Sequence, residues 1–200
     1  MRKQVYISAD YAEDGDKEVV SELVKWGKDD KHKVDFIDMS NPSSGSVSES
    51  SDCRICDLKA EFNSQINASS AAIFIVGNMT KNRTAGSQCD RNKKEWCECY
   101  CTPYKQNSQG QKNCKCINIT SAKNGDVGYI NTYSYLRHEF EQSKKKGKTI
   151  IVLYNSTRYE YSWLPSYMSE YEDEARPFWK YNDNREKVGD YGYIKEALGF

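Results

Sequence analysis

Short apolar runs alternate along the chain with segments in which apolar residues recur at steps of three or four. The apolar runs predict β-strands over residues 4–9, 33–38, 71–77 and 149–154. The periodic segments predict helices from Asp14 or Asp16 to about Gly27, over residues 55–66 and over residues 135–146. Strands that alternate with helices in this way are typical of an α/β domain with a parallel sheet.

The helix that starts near residue 135 carries the most informative side chains. Leu136 and Phe140 lie one helical turn apart and are expected to face the core. Tyr135 and Glu139 are also four residues apart and lie on an adjoining stripe. Gly147 follows a lysine-rich last turn, as expected where a helix ends. Glu139 is therefore predicted to be a carboxylate on a rigid helix, at the border of its buried face.

Two stretches depart from the alternating pattern. Residues from about 80 to 131 are polar and lack clear periodicity, so they are interpreted as an insertion on the α/β frame. Residues from about 155 to 200 are rich in aromatic side chains, with an edge strand predicted over 176–181 and a closing helix over 191–198. These aromatic residues are expected to pack in the core or at an edge; a nucleotide-stacking wall and an oligomer interface are alternatives. The whole chain, 1–200, is interpreted as a single domain.

Charge and hydropathy narrow the function classes. The 29 basic residues equal the 29 acidic ones, so no overall preference for nucleic acid or a membrane surface is visible. The apolar runs are far shorter than the roughly 20 residues that span a bilayer. The first residues enter a strand at once and lack the apolar core of a signal peptide. We therefore expect a soluble, cytoplasmic protein.

Polar residues follow the predicted strands at the ends where parallel α/β sheets bind ligands. Ser8, Ala9 and Asp10 come at the end of the first strand, and Gly77 and Asn78 at the end of the third. The alternative is that such residues only form turns and caps.

The order of these elements resembles the TIR-like domain family. Residues 5–11 resemble the opening strand of TIR-type domains, and residues 72–77 resemble their third strand. Tyr135 to Glu139, followed by residues 147–152, is similar to the Trp-x-x-x-Glu helix and the fourth strand. The closest group contains the TIR-like signal-producing subunit of Thoeris anti-phage defence systems. The resemblance covers about residues 3–154 without the insertion, and it implies a flavodoxin-like parallel sheet flanked by helices.

The resemblance implies that the protein cleaves NAD between nicotinamide and ribose and releases a cyclic or otherwise linked ADP-ribose signal. On this basis Glu139 matches the catalytic glutamate, and Ser8, Ala9 and Asp10 match the loop beside the nucleotide. Tyr135 takes the place of the usual tryptophan and is expected to contact the substrate. NAD would be the substrate, and no cofactor would be required. The partners would be an effector protein that receives the signal and, as an option, further copies of the chain.

One carboxylate suits this chemistry. Nicotinamide leaves as a neutral base, so no general acid has to protonate it. The ribose becomes oxocarbenium-like, and a nearby anion stabilises that charge by about 3–4 kcal/mol. The alternative for Glu139 is a solvated helix residue paired with a neighbouring cation.

Cysteine is unevenly distributed. Two of the eight form a C-x-x-C before the second helix, and the other six fall in the insertion: Cys53 and Cys56, then Cys89, Cys97, Cys99, Cys101, Cys114 and Cys116. In a reducing compartment they are interpreted as free thiols, as ligands of structural zinc, or as redox-sensitive disulfides. The spacing within the insertion differs from the usual zinc knuckle, so structural zinc is an option that we do not favour.

Two other function classes remain open. A non-catalytic TIR-like scaffold or signalling module would need no catalytic Glu139, and a zinc- or redox-dependent regulator would act through the cysteine-rich insertion. A phospho-receiver is disfavoured, because Asp10 stands largely alone after the first strand and the third strand ends without an acceptor aspartate.

Overall fold

The computed structural model describes residues 3–11, 15–29, 34–38, 55–83, 105–106, 112–113 and 134–200. Side chains are described throughout these ranges except at residues 38, 55–61, 105–106 and 112–113.

Strands and helices alternate through most of the described chain. In chain order they are β1 (Lys3–Ser8), α1 (Lys17–Lys28), β2 (Val34–Asp38), α2 (Ile55–Ala68), β3 (Ala71–Val76), β4 (Lys105–Gln106), β5 (Lys112–Asn113), α3 (Tyr135–Lys145), β6 (Thr149–Tyr154), β7 (Arg176–Pro177), β8 (Trp179–Tyr181), β9 (Lys187–Gly189) and α4 (Tyr191–Ala197). Single 3₁₀ turns cover Thr80–Asn82 and Tyr161–Trp163, and a longer 3₁₀ helix covers Ser166–Tyr171.

The central sheet has five parallel strands in the order β2-β1-β3-β6-β7. The chain first moves outward from β1 to β2 and then returns to place β3 on the other side of β1. The strand order therefore reverses between β1 and β3, and the carboxyl ends of these two strands border the crevice where such sheets bind ligands. The predicted parallel α/β architecture is confirmed.

Alternating side chains of the strands build a core on each face of the sheet. On one face, Val5, Ile73 and Ile151 pack with α1 and α4. On the other face, Tyr6 and Phe74 and their neighbours pack with α2 and α3. Because both faces are covered, β3 is buried at all six positions, as its apolar sequence predicts.

Helix α3 begins and ends as the sequence predicts. The Ser134 hydroxyl accepts a hydrogen bond from the Arg137 backbone N–H at 3.2 Å and caps the first turn. Gly147 has a φ of 61° just after the helix, a conformation that glycine adopts without steric cost. Leu136 and Phe140 are buried, at 7% and 0% exposure, so their predicted orientation is confirmed.

The predicted strand over residues 176–181 is wrong as a single element. Its first two residues form β7 at the edge of the main sheet, whereas β8 pairs antiparallel with β9 in a separate ribbon. The break falls at Phe178, whose ring is fully buried and packs 5.5 Å from the Trp26 ring. Burying this ring turns the chain away from the sheet direction.

The aromatic C-terminal segment packs largely on the core. Phe178 and Trp179 belong to the core on the α1 side, and Tyr167 and Tyr171 pack against the core on the α3 side. Exposed rings are also present, at Tyr159, Tyr161 and Tyr181. Of the predicted insertion, the structure describes the turn after β3 and the short β4 and β5 pair, so its further organisation lies outside the described residues. None of the helices in the described part of the chain combines the length and apolar character that a bilayer crossing demands.

Candidate active site

Glu139 lies inside the protein rather than at the border of a helix face. Only 4% of the residue is exposed. Its carboxyl group faces the hydroxyls of Tyr6 and Ser8, which are two residues apart on β1 and therefore lie on the same face of the sheet. Among the residues that the structure describes, no lysine or arginine forms an ion pair with Glu139. The alternative of a solvated glutamate is therefore wrong.

Burial changes the charge state of Glu139. Loss of solvent raises the pKa of Glu139 to about 8, and the Ser8 and Tyr6 hydroxyls only partly oppose this effect. At neutral pH the side chain is accordingly a carboxylic acid, able to donate as well as accept a hydrogen bond.

Ser8 contributes a second polar group to this pocket. Its hydroxyl oxygen is close enough to lower the pKa of Glu139. The same oxygen is buried and makes no hydrogen bond of standard length and angle to a described residue. Ser8 and Glu139 together therefore place a buried hydroxyl and a buried carboxyl group near the carboxyl end of β1, beside the reversal of strand order.

Tyr135 and Tyr167 lie on the α2 and α3 side of the sheet, as Glu139 does. The Tyr135 ring packs edge-on against Phe62 of α2, with ring centroids 5.4 Å apart. Burial raises the pKa of Tyr167 to about 12, and the nearby Glu139 carboxylate contributes in the same direction. Glu139 thus lies within an aromatic surround that keeps water away from it.

The predicted site residues at the end of β1 divide between two faces. Ser8 lies beside Glu139, whereas Ala9 is buried in the core on the α1 side. Asp10 forms an ion pair with Arg83, whose Nε lies 2.6 Å from the Asp10 Oδ2. The structure therefore brings Ser8 to Glu139 and engages Asp10 in a different set of contacts.

That second set centres on Asp16, whose Oδ2 accepts a hydrogen bond from the Asp10 backbone N–H at 3.3 Å. The sequence predicts Asp16 only as a helix cap. Asp16 occupies the N-cap position of α1, but its side chain makes no capping hydrogen bond. Its Oδ1 instead accepts a hydrogen bond from Asn155 Nδ2 at 3.0 Å, and Asn155 Oδ1 accepts one from Trp179 Nε1 at 2.9 Å. Burial raises the pKa of Asp16 to about 6, against the lowering effect of the Asn155 bond. The network joins the loop after β1 to the residue that follows β6.

Gly77 makes the close approach of Asp16 to β3 feasible. A Cβ atom at Gly77 would lie 2.5 Å from Asp16 Oδ1, far inside normal contact. Asn155 follows a predicted strand directly, and this position is the one feature of the sequence that could have indicated the network. Its partner Asp16 could not be recognised, because the two residues are 139 positions apart.

The other residues with possible catalytic or metal-binding chemistry are His138 and the cysteines. His138 Nε2 lies 3.1 Å from Asn63 Oδ1 of α2. In the described ranges no cluster of histidine, cysteine, aspartate and glutamate side chains could hold a metal ion. The predictions for Cys53, Cys89, Cys97, Cys99, Cys101, Cys114 and Cys116 lie outside the described residues, and only the backbone is described at Cys56.

Fold and site together define an α/β domain with a parallel five-stranded sheet and a buried carboxylic acid near the carboxyl end of strand β1. Comparisons of the chain with models of known protein families, with curated proteins and with solved structures give no significant match.

Proposed function

We propose that the protein is a TIR-like enzyme that cleaves NAD at the nicotinamide–ribose bond, with Glu139 as the catalytic residue. The product would be a cyclic or otherwise linked ADP-ribose signal for an effector protein in antiviral defence. The observation that carries the proposal is the placement of Glu139 on α3 opposite Ser8 of β1. The strand order 2-1-3 followed by two further strands supports a flavodoxin-like sheet, whose ligand crevice lies at this point.

The perturbed acidity of Glu139 also supports a chemical role, because strongly shifted carboxyl groups concentrate at functional sites. The pKa of about 8 describes Glu139 without substrate. The nicotinamide ring of NAD is cationic, and a cation close to a carboxyl group favours its ionised form. Binding of NAD would thus generate the carboxylate at the moment that the reaction needs it.

The reaction then requires little further help from the protein. The C1′–N bond breaks, its electron pair neutralises the pyridinium ring, and nicotinamide leaves. The ionised Glu139 stabilises the oxocarbenium-like ribose. A ribose hydroxyl or an adenine nitrogen attacks the cation to give a cyclic product, whereas water would give ADP-ribose. A nucleophile that loses its proton on attack can give it to Glu139.

The aromatic surround of Glu139 favours attack by the nucleotide itself. Tyr6, Tyr135 and Tyr167 lie on this side of the sheet and limit the access of water. Because only 4% of Glu139 is exposed, neighbouring side chains have to move before NAD can reach the carboxyl group. We propose that this opening is the step that an activating signal controls.

The test is NAD turnover by matched variants. Wild-type protein, Glu139→Gln and Glu141→Gln are expressed in cells, the cells are stimulated with phage, and NAD is quantified by chromatography in the extracts. Glu141 lies on the same helix and is only half-buried, so it controls for effects of replacing any glutamate of α3. We expect Glu139→Gln to slow NAD cleavage at least about a hundredfold, while Glu141→Gln retains the activity. Equal NAD loss in the wild-type and Glu139→Gln samples would contradict the assignment.

The pH dependence of the cleavage rate, measured with subsaturating NAD added to extracts of stimulated cells, gives a second test. Because the ionised form acts on the ribose, kcat/KM should rise with pH until it levels off near the free-enzyme pKa of about 8. A rate that falls over this range would contradict a role for the carboxylate.

A second candidate function, a non-catalytic TIR-like module, is favoured by the burial of Glu139. In that case Glu139 is a structural acid, and replacing it by glutamine changes stability alone. Absence of NAD loss in stimulated wild-type cells, together with partner binding that survives Glu139→Gln, would support the module over the enzyme.

A further inference from the structure

A cleft of about 340 Å³ lies beside the edge strand β7, and Glu139 is not among the residues that line it. Its walls come from the segment after β6, from β7 and β8, and from the start of α4. Trp179 and Tyr193 in these walls pack with the core on the α1 and α4 side. Glu139 faces Tyr6 and Ser8 on the α2 and α3 side, so the cleft is separate from the proposed NAD site.

Arg176 is the most distinctive group in the cleft. Its guanidinium carbon lies 5.8 Å from the ring centroid of Tyr159 and 5.7 Å from that of Tyr193. Its Nη1 donates hydrogen bonds to the backbone carbonyls of Asp173, at 2.7 Å, and Ala175, at 3.1 Å. These contacts hold the guanidinium plane in one orientation.

The other donors of Arg176 have no acceptor in the described part of the chain. Nε and Nη2 together carry three N–H groups, and neither atom makes a hydrogen bond to a described residue. No aspartate or glutamate in the described ranges forms an ion pair with Arg176. An oriented guanidinium with unused donors is suited to a planar oxyanion, which it can bind through two parallel hydrogen bonds.

The rest of the lining adds ring surface and little competing charge. Lys180 and Asp190 pair with each other at 2.8 Å, which leaves Arg176 as the uncompensated charge among the lining residues. Trp179 and Pro177 provide apolar surface next to it, and Thr157 adds a hydroxyl group. The volume is at the lower end of the range of about 300–1,000 Å³ that is typical of small-molecule sites.

We propose that this cleft binds a small anionic ligand in which a phosphate or carboxylate group is joined to a planar ring. Nucleoside monophosphates represent this chemistry. The anionic group would bind Arg176 through Nε and Nη2, and the ring would lie against the tyrosine and tryptophan walls. The site is independent of the proposed NAD chemistry and does not rest on it.

Isothermal titration calorimetry of the full chain tests the proposal. AMP is the complete probe, adenosine lacks the phosphate group, and ribose 5-phosphate lacks the aromatic ring. We expect AMP to bind one-to-one with a Kd at or below about 1 mM, and each fragment to bind at least about tenfold more weakly. Failure of AMP to bind would overturn the proposal. Adenosine or ribose 5-phosphate that binds as well as AMP would also overturn it.

Paired variants locate the binding. Arg176→Gln should weaken AMP binding at least about tenfold, and Tyr159→Ala roughly threefold or more, because its exposed ring helps to orient the guanidinium. Arg158→Gln and Tyr181→Ala are the matched controls, since both side chains are exposed and neither lines the cleft. Tyr159→Ala removes an exposed ring, so it keeps the test decisive if Arg176→Gln unfolds. AMP binding that is insensitive to Tyr159→Ala, or that falls equally with the control variants, would contradict the proposal.

Discussion

Replacing Glu139 by glutamine should change how the stability of the protein depends on pH. Glutamine has nearly the same shape as the neutral acid but cannot ionise. In the unfolded chain Glu139 ionises near its ordinary pKa of 4.5, whereas in the folded protein its pKa is raised to about 8. Because the folded pKa is raised, the contribution of Glu139 to stability is fully present below pH 4.5. It is lost progressively as pH rises to about 8 and is constant above that.

The magnitude follows from the size of the shift. A rise in pKa from 4.5 to about 8, at about 1.36 kcal/mol per unit, gives a loss on the order of 5 kcal/mol across this window. The Glu139→Gln variant lacks this loss. The difference in unfolding free energy between the variant and the wild type should therefore grow by that amount between about pH 4.5 and 8, in favour of glutamine. Altered hydrogen bonds of the amide would add an offset that does not change with pH.

Urea unfolding at a series of pH values measures this difference. Wild type, Glu139→Gln and the half-buried control Glu141→Gln are unfolded in parallel, and ΔG is extrapolated to zero denaturant. The titration of Asp16 and of other shared groups cancels when variants are subtracted. A difference between Glu139→Gln and wild type that stays constant from pH 5 to 9 would refute the claim that Glu139 is neutral in the folded protein. The same refutation would follow if Glu141→Gln behaved identically.

Three further substitutions test individual parts of the structure. Ser8→Ala removes a group that lowers the pKa of Glu139. In the Ser8→Ala background, the stability difference between Glu139→Gln and Glu139, measured by urea unfolding, should therefore level off at a higher pH. A shift of this point to lower pH would contradict the contact between Ser8 and Glu139. Gly77→Ala places a Cβ atom 2.5 Å from Asp16 Oδ1 and should lower the unfolding free energy by about 1–3 kcal/mol; unchanged stability would show that Asp16 lies elsewhere. Gly147→Ala should cost about 1 kcal/mol, because its φ is 61°, and Gly147→Asn should cost less; equal urea midpoints for the two would be inconsistent with this backbone conformation.

Local sequence patterns were sufficient to predict most of the strands and helices of the α/β sheet domain. The bounds of β6 match the prediction because a largely apolar six-residue run is bordered by Gly147 and Lys148 on one side and polar residues on the other. Leu136 and Phe140 face the core because helical spacing alone determines that they lie on one stripe. Such features depend on residues within one or two turns of each other, which a single sequence displays directly.

The depth of Glu139 and the role of Asp16 depend on distant parts of the chain. Helical spacing places Glu139 beside the buried stripe, but the depth of its burial results from packing against β1, which lies near the start of the chain. Asp16 has the sequence signature of a helix cap, yet its side chain bonds to Asn155. The break at Phe178 likewise follows from the position of Trp26, which no local pattern reveals.

The most direct test of the central claim is the mass spectrum of the products that form when NAD is incubated with extracts of stimulated cells. Our account predicts free nicotinamide and an ADP-ribose-derived product with wild-type protein and with Glu141→Gln, and neither compound with Glu139→Gln. A product that lacks the mass of one water relative to ADP-ribose would identify attack by the nucleotide itself. Formation of the same products at the same rate with Glu139→Gln would contradict the assignment of Glu139, and their absence from wild-type extracts would contradict NAD cleavage.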